Sequence, residues 1–244
     1  MPLPFEKLQV HQTWLGELML QRRYEPILGG QAVLEITLDG RQLMSSVVND
    51  SEIALANLGL AAVADKAMDV VVGGLGLGCT AAAALAFPEL RSLLVVDCLH
   101  EVIDWHNRGV VPLGAQLVND PRCRFVHGDF FAMVNHTGTG FDPDKPGRRF
   151  HAILMDIDHS PRGLLHGSHQ EFYQVEGLRL VVARLYPGGV FALWSADPPE
   201  PEFLDALGQV FAEHQVHEVE FQNPLLGIDD LNTVYVARTA ALAE

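Results

Sequence analysis

Cysteine is scarce in this chain, and so is positive charge. The 244 residues include only Cys79, Cys98 and Cys123, too few and too scattered for a disulfide framework or a zinc cage. That usage fits a reducing compartment, and cytoplasmic localisation is the expectation. Lys and Arg total 16 against 31 Asp and Glu, a formal net charge of -15. An acidic surface repels phosphate backbones and anionic lipid, so neither nucleic acid nor membrane is an expected partner, whereas a small cationic amine is tolerated. Residues 1–6 lack a basic stretch followed by an apolar core, so no secretory signal is expected. Long apolar runs are also missing in any form that suits lipid. Residues 70–87 are uncharged, yet glycines interrupt them and Asp69 and Pro88 flank them, which fits strand, loop and helix better than a membrane span. There is no internal repeat or low-complexity tract, and Ser160 lacks a G-x-S-x-G setting, which argues against a nucleophilic serine.

What is present centres on Asp69-Val-Val-Val-Gly-Gly-Leu-Gly-Leu-Gly-Cys-Thr80. A β-branched run breaking into glycines and then an alanine-rich segment reads as a strand buried on both faces, a tight turn and a helix. Glycines 73, 74, 76 and 78 let the backbone approach a ligand beside a helix N-terminus, a setting that suits a nucleoside. From there strands (69–73, 93–97, 124–127, 152–156, 190–194) alternate with helices (80–87, 101–107, 130–134, 170–185, 202–213). This alternation predicts an α/β, doubly wound, mostly parallel Rossmann-like sheet. Extended runs at 218–221 and 233–237 predict a C-terminal antiparallel hairpin, and the polar, Gly- and Pro-rich stretch 135–149 a surface loop. Before the glycine turn, short apolar runs separated by Gly29-Gly30 and Asp39-Gly40 predict a small antiparallel β-hairpin unit over residues 1–48. The Rossmann-like domain then occupies 49–244, opening on a helix capped by Asn49 or Asp50.

Three strand ends carry groups a bound nucleoside needs. Asp97, about twenty residues beyond the glycine turn, can accept ribose hydroxyls. Asp129 offers a carboxylate for an adenine amino group and Phe130 an aromatic face, although Asp129 also suits the N-cap of a short helix. The fourth strand end, Leu154-Met-Asp-Ile-Asp-His-Ser-Pro161, places Asp156, Asp158 and His159 where a co-substrate would meet the cofactor. Asp156 is the candidate base, because an amine must lose its proton before its lone pair can displace a sulfonium leaving group. His159, His166 and His169 match no compact ligand spacing, so no metal is expected.

The succession Leu38-Asp-Gly40, Gln42, Val71-Val-Gly-Gly-Leu-Gly-Leu-Gly78, Val96-Asp-Cys-Leu-His-Glu-Val-Ile103, Val126-His-Gly-Asp129, Asp156-Ile-Asp-His-Ser-Pro161 and Leu185-Tyr-Pro-Gly-Gly-Val190 resembles the spermidine synthase (polyamine aminopropyltransferase) family over nearly the whole chain. The resemblance implies a seven-stranded class I methyltransferase-like sheet whose last two strands form a hairpin. It also implies a homodimer, with Asp97 at the ribose, Asp129 at the adenine, Asp156 as the catalytic acid and Gln42 lining the substrate pocket. Four positions differ from the family pattern. Gly76 stands where an aspartate holds the amino end of the aminopropyl donor, no tyrosine occurs around Ser51, His159 replaces a second aspartate, and a pocket tyrosine has no counterpart in 224–232. Loss of the carboxylate at position 76 favours a donor that keeps its own carboxylate. The leading expectation is therefore S-adenosylmethionine-dependent methyl transfer to a small molecule. The first alternative is aminopropyl transfer from decarboxylated S-adenosylmethionine, with Asp156, Asp158, Glu52 and His159 replacing the missing groups. A second is a nucleoside-binding protein without catalysis.

Overall fold

The computed structural model describes residues 5–64, 67–135 and 139–241. Residues 1–4 of the segment read for a secretory signal and 136–138 of the expected surface loop lie outside these. Four strands, β1 (Phe5–Thr13), β2 (Gly16–Glu25), β3 (Gln31–Leu38) and β4 (Arg41–Ser45), form an antiparallel sheet in sequence order. The Asp-Gly pair turns β3 into β4 with both residues at positive φ, Asp39 at 48° and Gly40 at 76°, the backbone of a two-residue hairpin. The first strand, which pairs with β2, has no counterpart among the runs read from the sequence.

The larger sheet has seven strands, β5 (Met68–Gly73), β6 (Leu90–Asp97), β7 (Cys123–His127), β8 (Phe150–Met155), β9 (Leu185–Ser195), β10 (Glu213–Asn223) and β11 (Ile228–Arg238). Their order is β10-β11-β9-β8-β5-β6-β7. Strands β5 to β9 pair in parallel, and β11 and β10 add antiparallel pairs at one edge. Alternate residues of the central strands feed two cores. Val70, Val72, Leu93 and Val95 pack on one face, and Val71, Leu94, Val96 and Ile153 on the other. Both faces being covered explains the unbroken apolar run in the sequence.

The helices are α1 (Asp50–Ala61), α2 (Cys79–Leu85), α3 (His100–Asn107), α4 (Gly114–Asn119), α5 (Phe130–Asn135), α6 (Val175–Ala183) and α7 (Pro201–Val210). The single helix expected over 170–185 is two elements, a 3-10 segment Gly167–Tyr173 and then α6, because Gln174 is extended (φ -93°, ψ 166°). A Cβ on Gly177 would lie 2.4 Å from the Glu171 carbonyl, so only glycine lets the two pieces fold so closely together. Helix α7 stops at Val210, short of the expected 213, because β10 pairs with β11 continuously from Glu213 to Asn223. The expected surface loop 135–149 is in part interior. Phe141 is fully buried and stacks on Phe130 at 4.8 Å, and buried Asp142 is held by Arg124 and Arg148.

Candidate active site

In an open α/β sheet a ligand crevice forms beyond the C-terminal strand ends, where the strand order reverses. Here β5 is flanked by β6 on one side and β8 on the other, and a cavity of about 250 Å³ opens at that point. Its floor is the glycine turn with Asp97 and Asp156. Trp14, Leu18, Ile36 and Met44 of the small sheet close it from above.

Gly74 sits at φ 92° and donates its N–H to the Val96 carbonyl. A Cβ there would lie 2.0 Å from the Asp156 carbonyl oxygen. The turn is thus wedged between the ends of β6 and β8, which brings Asp97 and Asp156 to opposite sides of one crevice. The Asp97 carboxylate accepts the Leu75 N–H (2.9 Å) and the Leu99 N–H (2.8 Å). Burial pushes its pKa up, and these backbone donors oppose the shift.

Asp156 accepts the Thr80 hydroxyl at 2.7 Å. Beside it is Glu52, on the first turn of α1, 7% exposed and lining the same cavity. Burial, followed by the neighbouring Asp156 charge, raises the Glu52 pKa, and burial raises that of Asp156 against the Thr80 hydrogen bond. Two enclosed carboxylates of this kind cannot both ionise freely. A carboxyl whose pKa is higher folded than unfolded contributes stability that is present at low pH and lost as pH rises through its folded pKa. Glu52→Gln, which cannot ionise, should therefore raise the melting temperature relative to the parent by an amount that grows between about pH 5 and pH 8. The gain at the upper end is on the order of 2 kcal/mol, the scale of desolvating a polar group without full compensation. A difference independent of pH would remove Glu52 from this account.

The other residues named from the sequence divide into cavity wall and support. Gln42, His159, Asp129, Gly74 and Gly76 line the cavity. Asp129 also caps α5, its Oδ1 accepting the Phe131 and Ala132 N–H groups at 2.9 and 3.2 Å. Phe130 is more deeply packed than the sequence suggested. It is 2% exposed, stacked on Phe141 and pressed under Gly73, where a Cβ would lie 2.7 Å from its ring. It nevertheless lines the cavity, with Phe141 stacked on one face of the ring. Gly73 and Gly78 pack against Phe130 and against Leu117 and His106 respectively, and neither lines the cavity. Asp158 is corrected from a catalytic to a supporting role. It is 2% exposed and accepts from His169 Nδ1 (2.9 Å), the Tyr173 hydroxyl (2.8 Å) and the Leu165 N–H (2.7 Å), tying segment 157–174 to the core. His169 is held by that carboxylate and stacks on Phe131, while exposed His166 bonds Ser168 and edges Trp14.

Several positions that shape the candidate site escaped the sequence reading. Thr80, which orients Asp156, was visible only as the residue after the glycine turn. Met44 comes from the small sheet, where nothing in the local pattern marks it. Its Sδ accepts the Leu77 N–H at 2.8 Å, and a Cβ on Gly76 would lie 2.3 Å from that sulfur. His106 Nε2 lies 2.9 Å from the Gly76 carbonyl and pins the turn from the opposite side. Trp194, at the end of β9, completes the wall near His159.

No family model matches this sequence. Solved structures do match its fold. A spermidine synthase from Thermotoga maritima superposes with a TM-score of 0.73 at 15% sequence identity, covering 97% of this chain and 74% of that one. A spermidine synthase in complex with the transition state analogue AdoDATO superposes with a TM-score of 0.72 at 16% identity, covering 97% and 73%. At such identities the likeness is one of architecture, and it extends from the four-stranded N-terminal sheet to the antiparallel β10–β11 edge: the chain has a spermidine-synthase-like fold of the class I methyltransferase type.

Proposed function

We propose that this chain transfers an alkyl group from an adenosyl sulfonium donor to a small cationic amine, as an aminopropyltransferase using decarboxylated S-adenosylmethionine. The observation that carries this reading is the Glu52–Asp156 carboxylate pair at the wall of the cavity beside the glycine turn. One enclosed anion attracts a protonated amine, and a carboxylate with a raised pKa can take the amine's proton near neutral pH. The architecture shared with spermidine synthases, one of them bound to AdoDATO, favours aminopropyl transfer.

The residues present fit such a donor. The Asp97 oxygens accept backbone N–H groups of Leu75, Gly76 and Leu99 and, with two lone pairs on each oxygen, retain capacity for a ribose hydroxyl. Gly74 and Gly76 expose backbone alone at the turn. When bound, the sulfonium supplies a carbon activated for displacement, with a neutral thioether leaving. What this chain contributes is position and a base. The cavity holds the acceptor nitrogen against the donor, and Asp156, fixed by Thr80, receives the proton the amine must shed.

Methyl transfer from S-adenosylmethionine is the second reading, supported by Met44. Its thioether covers Gly76 where a donor-gripping carboxylate would otherwise stand, leaving one fewer negative charge near the donor's methionine tail. Melting curves with each donor separate the readings. A larger stabilisation by decarboxylated S-adenosylmethionine is the expected result, the reverse order selects methyl transfer, and no shift with either donor ends the sulfonium reading, leaving a nucleoside-binding role without catalysis.

A further inference from the structure

Ser51 lies behind Glu52, 1% exposed, and its Oγ has three polar partners. Trp194 Nε1 is 2.8 Å away, Asn232 Oδ1 2.8 Å and Glu52 Oε2 2.9 Å. An indole N–H only donates, a serine hydroxyl carries one hydrogen and two lone pairs, and a carboxylate only accepts. The orientation of Asn232 follows from its other contacts. Its Nδ2 reaches two carbonyls, Leu231 at 3.1 Å and Ala196 at 3.4 Å. Turning the amide over would set Oδ1 against both of them, so Oδ1 faces Ser51.

The hydrogens can then be counted. Trp194 donates to Ser51. The single Ser51 hydrogen must go to Asn232 Oδ1, because otherwise two buried acceptors face each other at 2.8 Å with no proton between them, a cost of about 1–3 kcal/mol. Ser51 then has nothing to give Glu52, and the 2.9 Å contact requires a proton on Glu52 Oε2. On the other side, Thr80 donates to Asp156 Oδ2 at 2.7 Å, with the Glu52 carbonyl a more distant acceptor at 3.4 Å, and this donor favours the ionised form of Asp156. We infer that in the resting protein Glu52 is a neutral acid donating through Ser51 to Asn232, and that Asp156 is the only anion of the pair.

The titratable groups facing Glu52 are Asp156 from the end of β8 and Cys79 from α2, with Asp50 on its own turn. Asp39, Arg41, Asp97, Asp129, His159 and His169 share the cavity wall. Burial and the Asp156 charge both favour the neutral form of Glu52 and outweigh the opposing pull of hydrogen bonds to the carboxylate. The use of this arrangement rests on the amine-transfer reading. A cation entering the cavity favours the Glu52 carboxylate, and Ser51 then swings its hydrogen from Asn232 to Glu52. Acceptor binding would thus release a proton and add a second negative charge only when a cation is there to meet it. Asn232 and Ser51 are positioning residues in this scheme.

The test uses the free protein, so it stands apart from the identity of donor and acceptor. With side-chain carboxyl carbons of glutamate labelled with carbon-13, one resonance in the parent should titrate well above the rest and be absent from Glu52→Gln. Asn232→Ala removes the acceptor that holds the Ser51 hydrogen, frees Ser51 to donate to the carboxylate, and should move that midpoint downward; the same change made in a Ser51→Ala background should then have no effect, whereas a shift caused by water entering a loosened site would persist there. Should Asn232→Ala fail to fold, the comparison of parent with Glu52→Gln still decides whether Glu52 is neutral. A Glu52 resonance titrating with the ordinary carboxylates, or an Asn232→Ala midpoint unchanged or raised, overturns the inference.

Discussion

Asp156→Asn should retain donor binding and lose turnover by roughly 100-fold or more, the usual scale for a missing general base. Asparagine keeps the shape of the side chain, and its Oδ1 can still accept the Thr80 hydroxyl that Asp156 now accepts at 2.7 Å. The backbone of residue 156 remains tied to β5 through its N–H to the Gly73 carbonyl at 2.8 Å. What disappears is the capacity to take a proton. Burial holds the Asp156 pKa above the usual carboxylate range, which brings it closer to the working pH and makes it a better base there than an exposed aspartate. The measurement is product formation with saturating donor and amine, beside a melting curve showing that the donor still stabilises the variant. Unchanged turnover would exclude Asp156 as the base.

Gly74→Ala should have the largest structural effect. At φ 92° an L residue is strained, and the new Cβ would meet the Asp156 carbonyl oxygen at 2.0 Å. That oxygen is main chain at a strand end and cannot swing aside as a flexible side chain would. Backbone strain and overpacking together give a destabilisation of about 2–5 kcal/mol. Because the collision is with residue 156 itself, any relaxation displaces the proposed base, so donor stabilisation and turnover should fall together. Gly29→Ala provides the comparison. It also has positive φ, 67°, but a Cβ there meets nothing within 4 Å, so it should cost only the conformational part, about 1–2 kcal/mol. Denaturant unfolding of both variants decides the matter. Equal losses would show that close approach to β8 contributes nothing at Gly74.

These two positions show why some of the site could be read from residue order and some could not. Asp97 and Asp156 end apolar strands in a run of alternating strands and helices, and any such strand end lies on the ligand side of a parallel sheet. Phe130 and Asp158 lie equally close to strand ends, yet both are packed inward. One faces down into the stack with Phe141, and the other is turned inward by His169 and Tyr173. Which way a side chain leaves a strand end depends on what packs there, and those partners lie far away in the chain.

The sequence by itself determined the sheet of alternating strands and helices, the Asp-Gly hairpin, the glycine turn and the acidic strand ends, because periodicity, turn chemistry and β-branching act between near neighbours. It was silent on the first strand, on Met44 covering Gly76, on Thr80 orienting Asp156, and on Ser51 joining Glu52 to Trp194 and Asn232. Those contacts bring together α1, the end of β9, β11 and the small N-terminal sheet. Only the tertiary structure decided them, since a hydrogen bond or van der Waals contact depends on distance in space, and residues 51 and 232 become neighbours only once α1 has packed against β11.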